Sequence, residues 1–198
     1  MRVAPCGILH AGDAAVAFAR GLQCARLTHG HPTGYLSAGV FAAVIADVMA
    51  GTTLPDAIET ARSILAGYPD HEETMQAIDL ALQMVEDHTP VGQAIPALGE
   101  GWIAEEALAI ALYCALVASS LEEGIVAAVN ITGDSDSTGS MTGNLLGAMH
   151  GMAAVPARWL APLELKDVIE CIARDLVMLP DFGTSAADPA WLERYPAL

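Results

Sequence analysis

Residues 104–119 form the segment that most restricts the fold. Beyond Glu105 and Glu106 this segment carries no charge, and it is apolar on every side. A helix with no polar face must be surrounded by other elements, so it belongs at the centre of a helical bundle. Residues 107–118, its uncharged part and the longest strongly apolar run, are too short to cross a bilayer, and no transmembrane span is expected.

The rest of the chain supplies helices to surround it. Residues 14–27 are Ala-rich with Asp13 as N-cap, and residues 35–49 run to a stop at Gly51. Residues 55–65 start with Pro at a first-turn position and end before Gly67. In 72–86, Met75, Ile78, Leu82 and Val85 share one face. Further helices are expected over 121–129, from about 138 to 152, and over 163–179. Residues 29–34 form a polar break, and 89–101, with two prolines and three glycines, read as mostly loop. No strand alternation persists, no period of 20 to 50 residues repeats, and aromatic residues are only 5% of the chain. The expected fold class is all-α: a compact multi-helix bundle with one dense core over residues 1–180 and a loop-like tail over 181–198.

The net charge is −16, which repels phosphate backbones and disfavours a nucleic-acid partner while suiting a protein that takes up cations. Cys6, Cys24, Cys114 and Cys171 are widely spaced with no C-x-x-C pair. They read as reduced residues of a cytoplasmic protein rather than as a disulfide framework or a zinc site. The N-terminus has no apolar h-region of the kind a signal peptide requires.

The chemistry concentrates in Gly133-Asp134-Ser135-Asp136-Ser137-Thr138-Gly139. Asp134 and Asp136 are two apart and do not face each other on a helix, so they converge only where the backbone is non-helical. Ser137 would then cap the helix that follows, whose positive end favours both carboxylates. Two carboxylates and a hydroxyl make a hard oxygen cluster, suited to Mg²⁺, Mn²⁺ or Ca²⁺ rather than zinc. An EF-hand is excluded because Leu145 stands where the bidentate Glu is required, and a P-loop because no G-K-[ST] follows. On the local pattern alone, a plain helix cap without ligand remains open.

Longer matches favour the metal. The acidic segment, with the small-residue helix from Asn144 to Gly151, resembles the C-terminal metal motif of the ADP-ribosylglycohydrolase family. Thr28-His-Gly-His-Pro-Thr-Gly-Tyr-Leu36 resembles the family's Thr-His-x-x-Pro segment. Gly99-Glu-Gly-Trp-Ile-Ala-Glu-Glu-Ala-Leu-Ala-Ile-Ala-Leu-Tyr113 and Met1-Arg-Val-Ala-Pro5 resemble two further blocks, in the family's order. The resemblance implies an all-α hydrolase that cleaves the glycosidic bond between ADP-ribose and a protein side chain or small acceptor, with two Mg²⁺ ions (Mn²⁺ in some members). It implies Asp134, Asp136 and Ser137 as metal ligands, with Thr138 as the alternative hydroxyl if the register is read one residue later. It further implies His29 as a contact to ADP-ribose and Trp102 as a wall of the adenosine side. The Thr-His-x-His-Pro form resembles members that act on arginine-linked ADP-ribose.

In the family, a Gly-rich substrate loop and a Thr-Asp-Asp motif bearing the remaining ligands precede the Met-Arg-Val-Ala-Pro segment, and neither occurs in these residues. The chain therefore resembles the C-terminal two-thirds of the family fold. The catalytic acid or base is expected in the part not matched, two-metal occupancy is expected to be poor, and exposed apolar faces are expected to favour self-association. The alternatives are a non-catalytic ADP-ribose or nucleotide binding module and a helical remnant without ligand. Outside the motif, His29 and His31 lack a third partner for zinc, and His150 reads as a helix-end residue. Glu105 and Glu106 read as acidic residues placed to suit a helix N-terminus.

Overall fold

The computed structural model describes residues 1–182 and 193–195. Among them the chain is helical throughout, without strands: α1 Ala4–Leu9, α2 Ala14–Arg26, α3 Pro32–Met49, α4 Leu54–Leu65, α5 Glu72–Glu86, α6 Val91–Leu98, α7 Ala104–Val117, α8 Leu121–Val129, α9 Ser135–His150, a 3₁₀ turn Met152–Ala154, α10 Ala157–Leu160 and α11 Lys166–Phe182. It divides into two compact units, Met1–Pro162 and Leu163–Leu198. The all-α class is as the periodicity requires.

Within the first unit, α7 is the central partition. Leu108, Ala111, Leu112 and Ala115 pack into a cluster built around α3. Ala109, Ile110, Tyr113 and Cys114 pack into a second cluster with Ala81 of α5, Ala94, Ile95 and Leu98 of α6, and Ala128 of α8. A helix that serves two clusters needs apolar residues on both sides, which is why α7 has no polar face. The bundle thus holds two apolar clusters on either side of α7 rather than one dense core.

Helix α3 is as central as α7, and the periodicity did not single it out. Leu36, Val40, Phe41, Ala42, Ala43 and Val44 are fully buried, and α3 packs on α1, α2, α4, α7 and α9. It is long and apolar enough to cross a membrane by length and composition, but 67% of it is buried inside the protein.

Side-chain caps fix the starts of α2, α4 and α8. Asp13 Oδ1 accepts from the Val16 amide at 3.0 Å, as expected. The Thr53 hydroxyl accepts from the Asp56 amide, and the Ser120 hydroxyl from the Glu123 amide. Three expectations need correction. Residues 91–98, read as loop, form α6: Pro90 is the N-cap, and the ring of Pro96 is tolerated in a helix of only eight residues whose Ala94, Ile95 and Leu98 are buried. Helix α9 starts at Ser135 rather than near 138, with Asp134 and not Ser137 as N-cap, because Ser137 already lies in the first turn. Gly139, Gly143, Gly147 and Gly151 recur at four-residue spacing, which predicts one packing face, but only Gly139 and Gly143 pack against α8. A Cβ at Gly139 would lie 2.4 Å from Val129 Cγ1 of α8, whereas Gly147 faces open space and Gly151 is the C-cap.

In the second unit, α11 runs from Lys166 to Phe182, later at both ends than residues 163–179. Asp175 accepts from Arg194 at 2.5 Å and from the Tyr195 hydroxyl at 2.7 Å. Of the expected tail, residues 183–192 and 196–198 lie outside the described residues.

Candidate functional site

The first turns of three helices meet around one cavity of about 700 Å³. Thr33, Gly34, Ser37, Ala38 and Phe41 line it from one face of α3; Ala104, Glu105 and Ala107 line it from the start of α7; Asp134, Ser137 and Met141 line it from the start of α9. His29 and His31 just before α3, and Gly101 and Trp102 just before α7, complete the rim. Helix N-termini carry partial positive charge, so the carboxylates of Asp134 and Glu105 are favoured where they stand.

Asp134 has non-helical dihedrals (φ −76°, ψ 73°). Its carboxylate therefore turns toward the first turn of α9 instead of following the helix surface. The Asp136 carboxyl group and the hydroxyl and amide of Ser137 lie beside it. The same amide donates to Asp136 Oδ1 at 2.9 Å. The contact with Asp136 is the largest cause holding Asp134 below the usual carboxylate value of 3.8; burial opposes it, and Ser137 assists. The oxygens of residues 134, 136 and 137 thus come together. Asp134 and Ser137 line the cavity, while Asp136 is exposed and is not among its lining residues.

Thr138, the alternative hydroxyl, is elsewhere. It is fully buried and donates to the Ala128 carbonyl at 2.8 Å, with the Asp134 carbonyl at 3.1 Å. It joins α9 to α8 and faces no open space.

The loop before α7 is shaped by backbone demands that local pattern reading missed. Gly99 (φ 120°) and Gly101 (φ 77°) occupy the left-handed region, and a Cβ on Gly101 would lie 2.8 Å from Thr138 Cγ2. Glu106 Oε2 accepts from the amides of Glu100 and Gly101, both at 3.1 Å. Trp102, 66% exposed, donates from its indole nitrogen to Glu100 Oε2 at 3.2 Å. Across the cavity, His29 Nδ1 pairs with the Thr28 hydroxyl and His31 Nδ1 with the Thr33 hydroxyl, each at 2.9 Å.

Four of the five candidate residues (His29, Trp102, Asp134 and Ser137) therefore line one cavity, with the fifth, Asp136, attached at its edge. Among the described residues no three His, Cys, Asp or Glu side chains cluster. The oxygen set is two carboxylates and a hydroxyl, hard donors that fit part of an octahedral magnesium or manganese shell.

The model of the family described as ADP-ribosylglycohydrolase matches residues 1–184. The chain belongs to the ADP-ribosylglycohydrolase family. A curated relative, ADP-ribosylhydrolase ARH3 of Bos taurus, is 28% identical over 95 residues, covering 42% of this chain and 26% of that protein. A solved structure titled ADP-ribosylglycohydrolase-related protein complex superposes with a TM-score of 0.63 at 24% identity, over 86% of this chain and 56% of that one. The second likeness is one of fold. The chain spans about a quarter of the curated relative and little more than half of the structural neighbour.

Proposed function

We propose that this chain carries the metal-side half of a hydrolase site that cleaves the glycosidic bond of ADP-ribose attached to a protein side chain, arginine favoured, or to a small acceptor. The observation that supports it most is the convergence of the Asp134, Asp136 and Ser137 oxygens beside a cavity that also presents His29 and Trp102.

In this reading Asp134, Asp136 and Ser137 hold Mg²⁺, with Mn²⁺ as the substitute. When bound, the ion supplies Lewis-acid polarisation and offsets the charge of the diphosphate. Trp102 offers an exposed face to the adenine, and its indole N–H bond to Glu100 orients the ring. His29, held through Nδ1 by Thr28, presents its other ring nitrogen to the ligand. The apolar wall formed by Phe41, Ala38, Ala107 and Met141 excludes water from the buried side. The carboxyl groups that the cavity gathers are Asp134 and Glu105.

The alternative is a non-catalytic ADP-ribose binding module, and the lack of a third clustered ligand among the described residues favours it. Calorimetry with ADP-ribose, with and without Mg²⁺, tests both readings on the wild type and on Asp134→Ala/Asp136→Ala. Binding that needs Mg²⁺ and is lost in the double variant supports the site, and no heat in either protein rejects it. Release of ADP-ribose from an ADP-ribosylated arginine peptide then separates hydrolase from binder.

A further inference from the structure

Glu105 and Glu106 are neighbours in sequence with opposite circumstances. Glu106 Oε2 is spent on the amides of Glu100 and Gly101. Glu105 Oε2 is closed to solvent and has no hydrogen-bond partner, although Glu105 lines the cavity. On α3, Ser37 is 2% exposed, lines the same cavity, and its hydroxyl is also without a partner. A buried polar group left unpaired costs about 1–3 kcal/mol, and more when it is charged. Both groups belong to residues that line one cavity, where a side-chain rotation would let a ligand complete them.

The chemistry of that ligand follows from the two groups. An ionised carboxylate only accepts, so Glu105 calls for a donor. A hydroxyl both gives and takes, so Ser37 is satisfied by a partner that does the same. Vicinal hydroxyls meet both demands. A guanidinium has donors but no acceptor and would leave the Ser37 proton unmatched. Two cations line the cavity: Arg2 donates to the Thr28 hydroxyl at 2.8 Å, and the Met1 ammonium interacts with Asp134. Trp102 stands three positions before Glu105 and lines the same cavity.

We propose that Glu105 and Ser37 form a ribose-hydroxyl subsite that recognises the sugar adjoining the adenine, with Glu105 accepting from a ribose hydroxyl as acidic residues do in other dinucleotide sites. This rests on the ADP-ribose reading above.

The test is a ligand–variant cycle by calorimetry with Mg²⁺ present, using ADP-ribose and 2′-deoxy-ADP-ribose, which lacks one hydroxyl of that sugar, together with thermal melts of the ligand-free proteins. The wild type is expected to bind the deoxy ligand about tenfold more weakly. Glu105→Gln is expected to lose about tenfold in ADP-ribose affinity and most of the discrimination between the two ligands. Its ligand-free melting temperature should hold or rise, because Glu105 Oε2 makes no hydrogen bond that the amide would lose. Ser37→Ala should show the same pattern with a smaller loss. Discrimination that persists in Glu105→Gln overturns the subsite while leaving ADP-ribose binding in place. So does a lower melting temperature with unchanged discrimination, which would mark Glu105 as structural. A wild type that binds neither ligand overturns the ADP-ribose reading and the subsite with it.

Discussion

The amide of Asp134 donates a 2.8 Å hydrogen bond to the carbonyl of Glu100. This one contact joins the first residue of the acidic motif to the loop that carries Trp102, so the two walls of the cavity are registered to each other through the backbone.

Gly133 permits that approach. A Cβ there would lie 1.7 Å from the Glu100 carbonyl oxygen, a separation that only backbone movement can relieve. Gly133→Ala should therefore destabilise the protein by about 1–3 kcal/mol in urea unfolding. It should also weaken Mg²⁺-linked ADP-ribose binding, because the motif and the Trp102 loop move apart. Wild-type values for both quantities would mean the contact is dispensable.

The Asp134 carboxylate is stabilised in the folded protein below its usual value of 3.8, first by Asp136 and then by Ser137. A depressed folded value contributes stability that is complete above the unfolded value and is lost as pH falls through the folded one. In metal-free buffer, Asp134→Asn should be less stable than the wild type above about pH 4 and converge with it in stronger acid. Urea unfolding as a function of pH reads this directly; a constant difference across the range would contradict it. Metal affinity should fall over the same acid range, since the ligands must be ionised.

Glu106→Ala should unpair the amides of Glu100 and Gly101, costing about 1–3 kcal/mol and loosening the Trp102 loop. The expected sign is opposite to that of Glu105→Gln on the ligand-free protein. Melting the two variants side by side separates adjacent residues that composition treats as equivalent.

Thr138→Val removes the hydroxyl that donates to the Ala128 carbonyl at 2.8 Å while keeping the side chain's volume. A loss of about 1–2 kcal/mol is expected in urea unfolding, with Mg²⁺ binding per folded molecule unchanged. Lost metal binding in a folded Thr138→Val would return this hydroxyl to the ligand set.

The cysteines should react in order of exposure. Cys24 is exposed, Cys6 is half-buried with its thiol pushed up to about 11 chiefly by burial, and burial pushes the Cys114 thiol up to about 12. Iodoacetamide labelling at pH 8, read by peptide mass spectrometry, should modify Cys24 first, Cys6 slowly, and Cys114 only after unfolding. Early labelling of Cys114 would mean that the second apolar cluster opens in the native state.

The helical class, the central place of α7, the limits of α5 and α8 and the Asp13 cap could all be read along the chain. Each depends on local spacing and capping chemistry that hold for any fold. Residues 91–98 could not be read in that way. Gly92 and Pro96 within it and Pro90 just before it argue for loop, and only the burial of Ala94, Ile95 and Leu98 against α7 makes the segment a helix. The start of α9 departs from the expected one for a related reason: Ser137 has capping chemistry, but Asp134 occupies the cap position.

The acidic motif, His29 and Trp102 were legible as candidates, since residue type and order carry their chemistry. Residue order also dictates that carboxylates two apart converge only where the backbone leaves the helix, which Asp134 does. What it cannot state is which of two adjacent glutamates closes a loop and which faces the cavity. Successive residues on a helix point about 100° apart, so the division between Glu105 and Glu106 depends on what the rest of the fold packs against each. The roles of Thr138 and Ser37 were decided in the same way. A hydroxyl acquires its function from the groups that surround it, and those are brought from distant parts of the chain by packing.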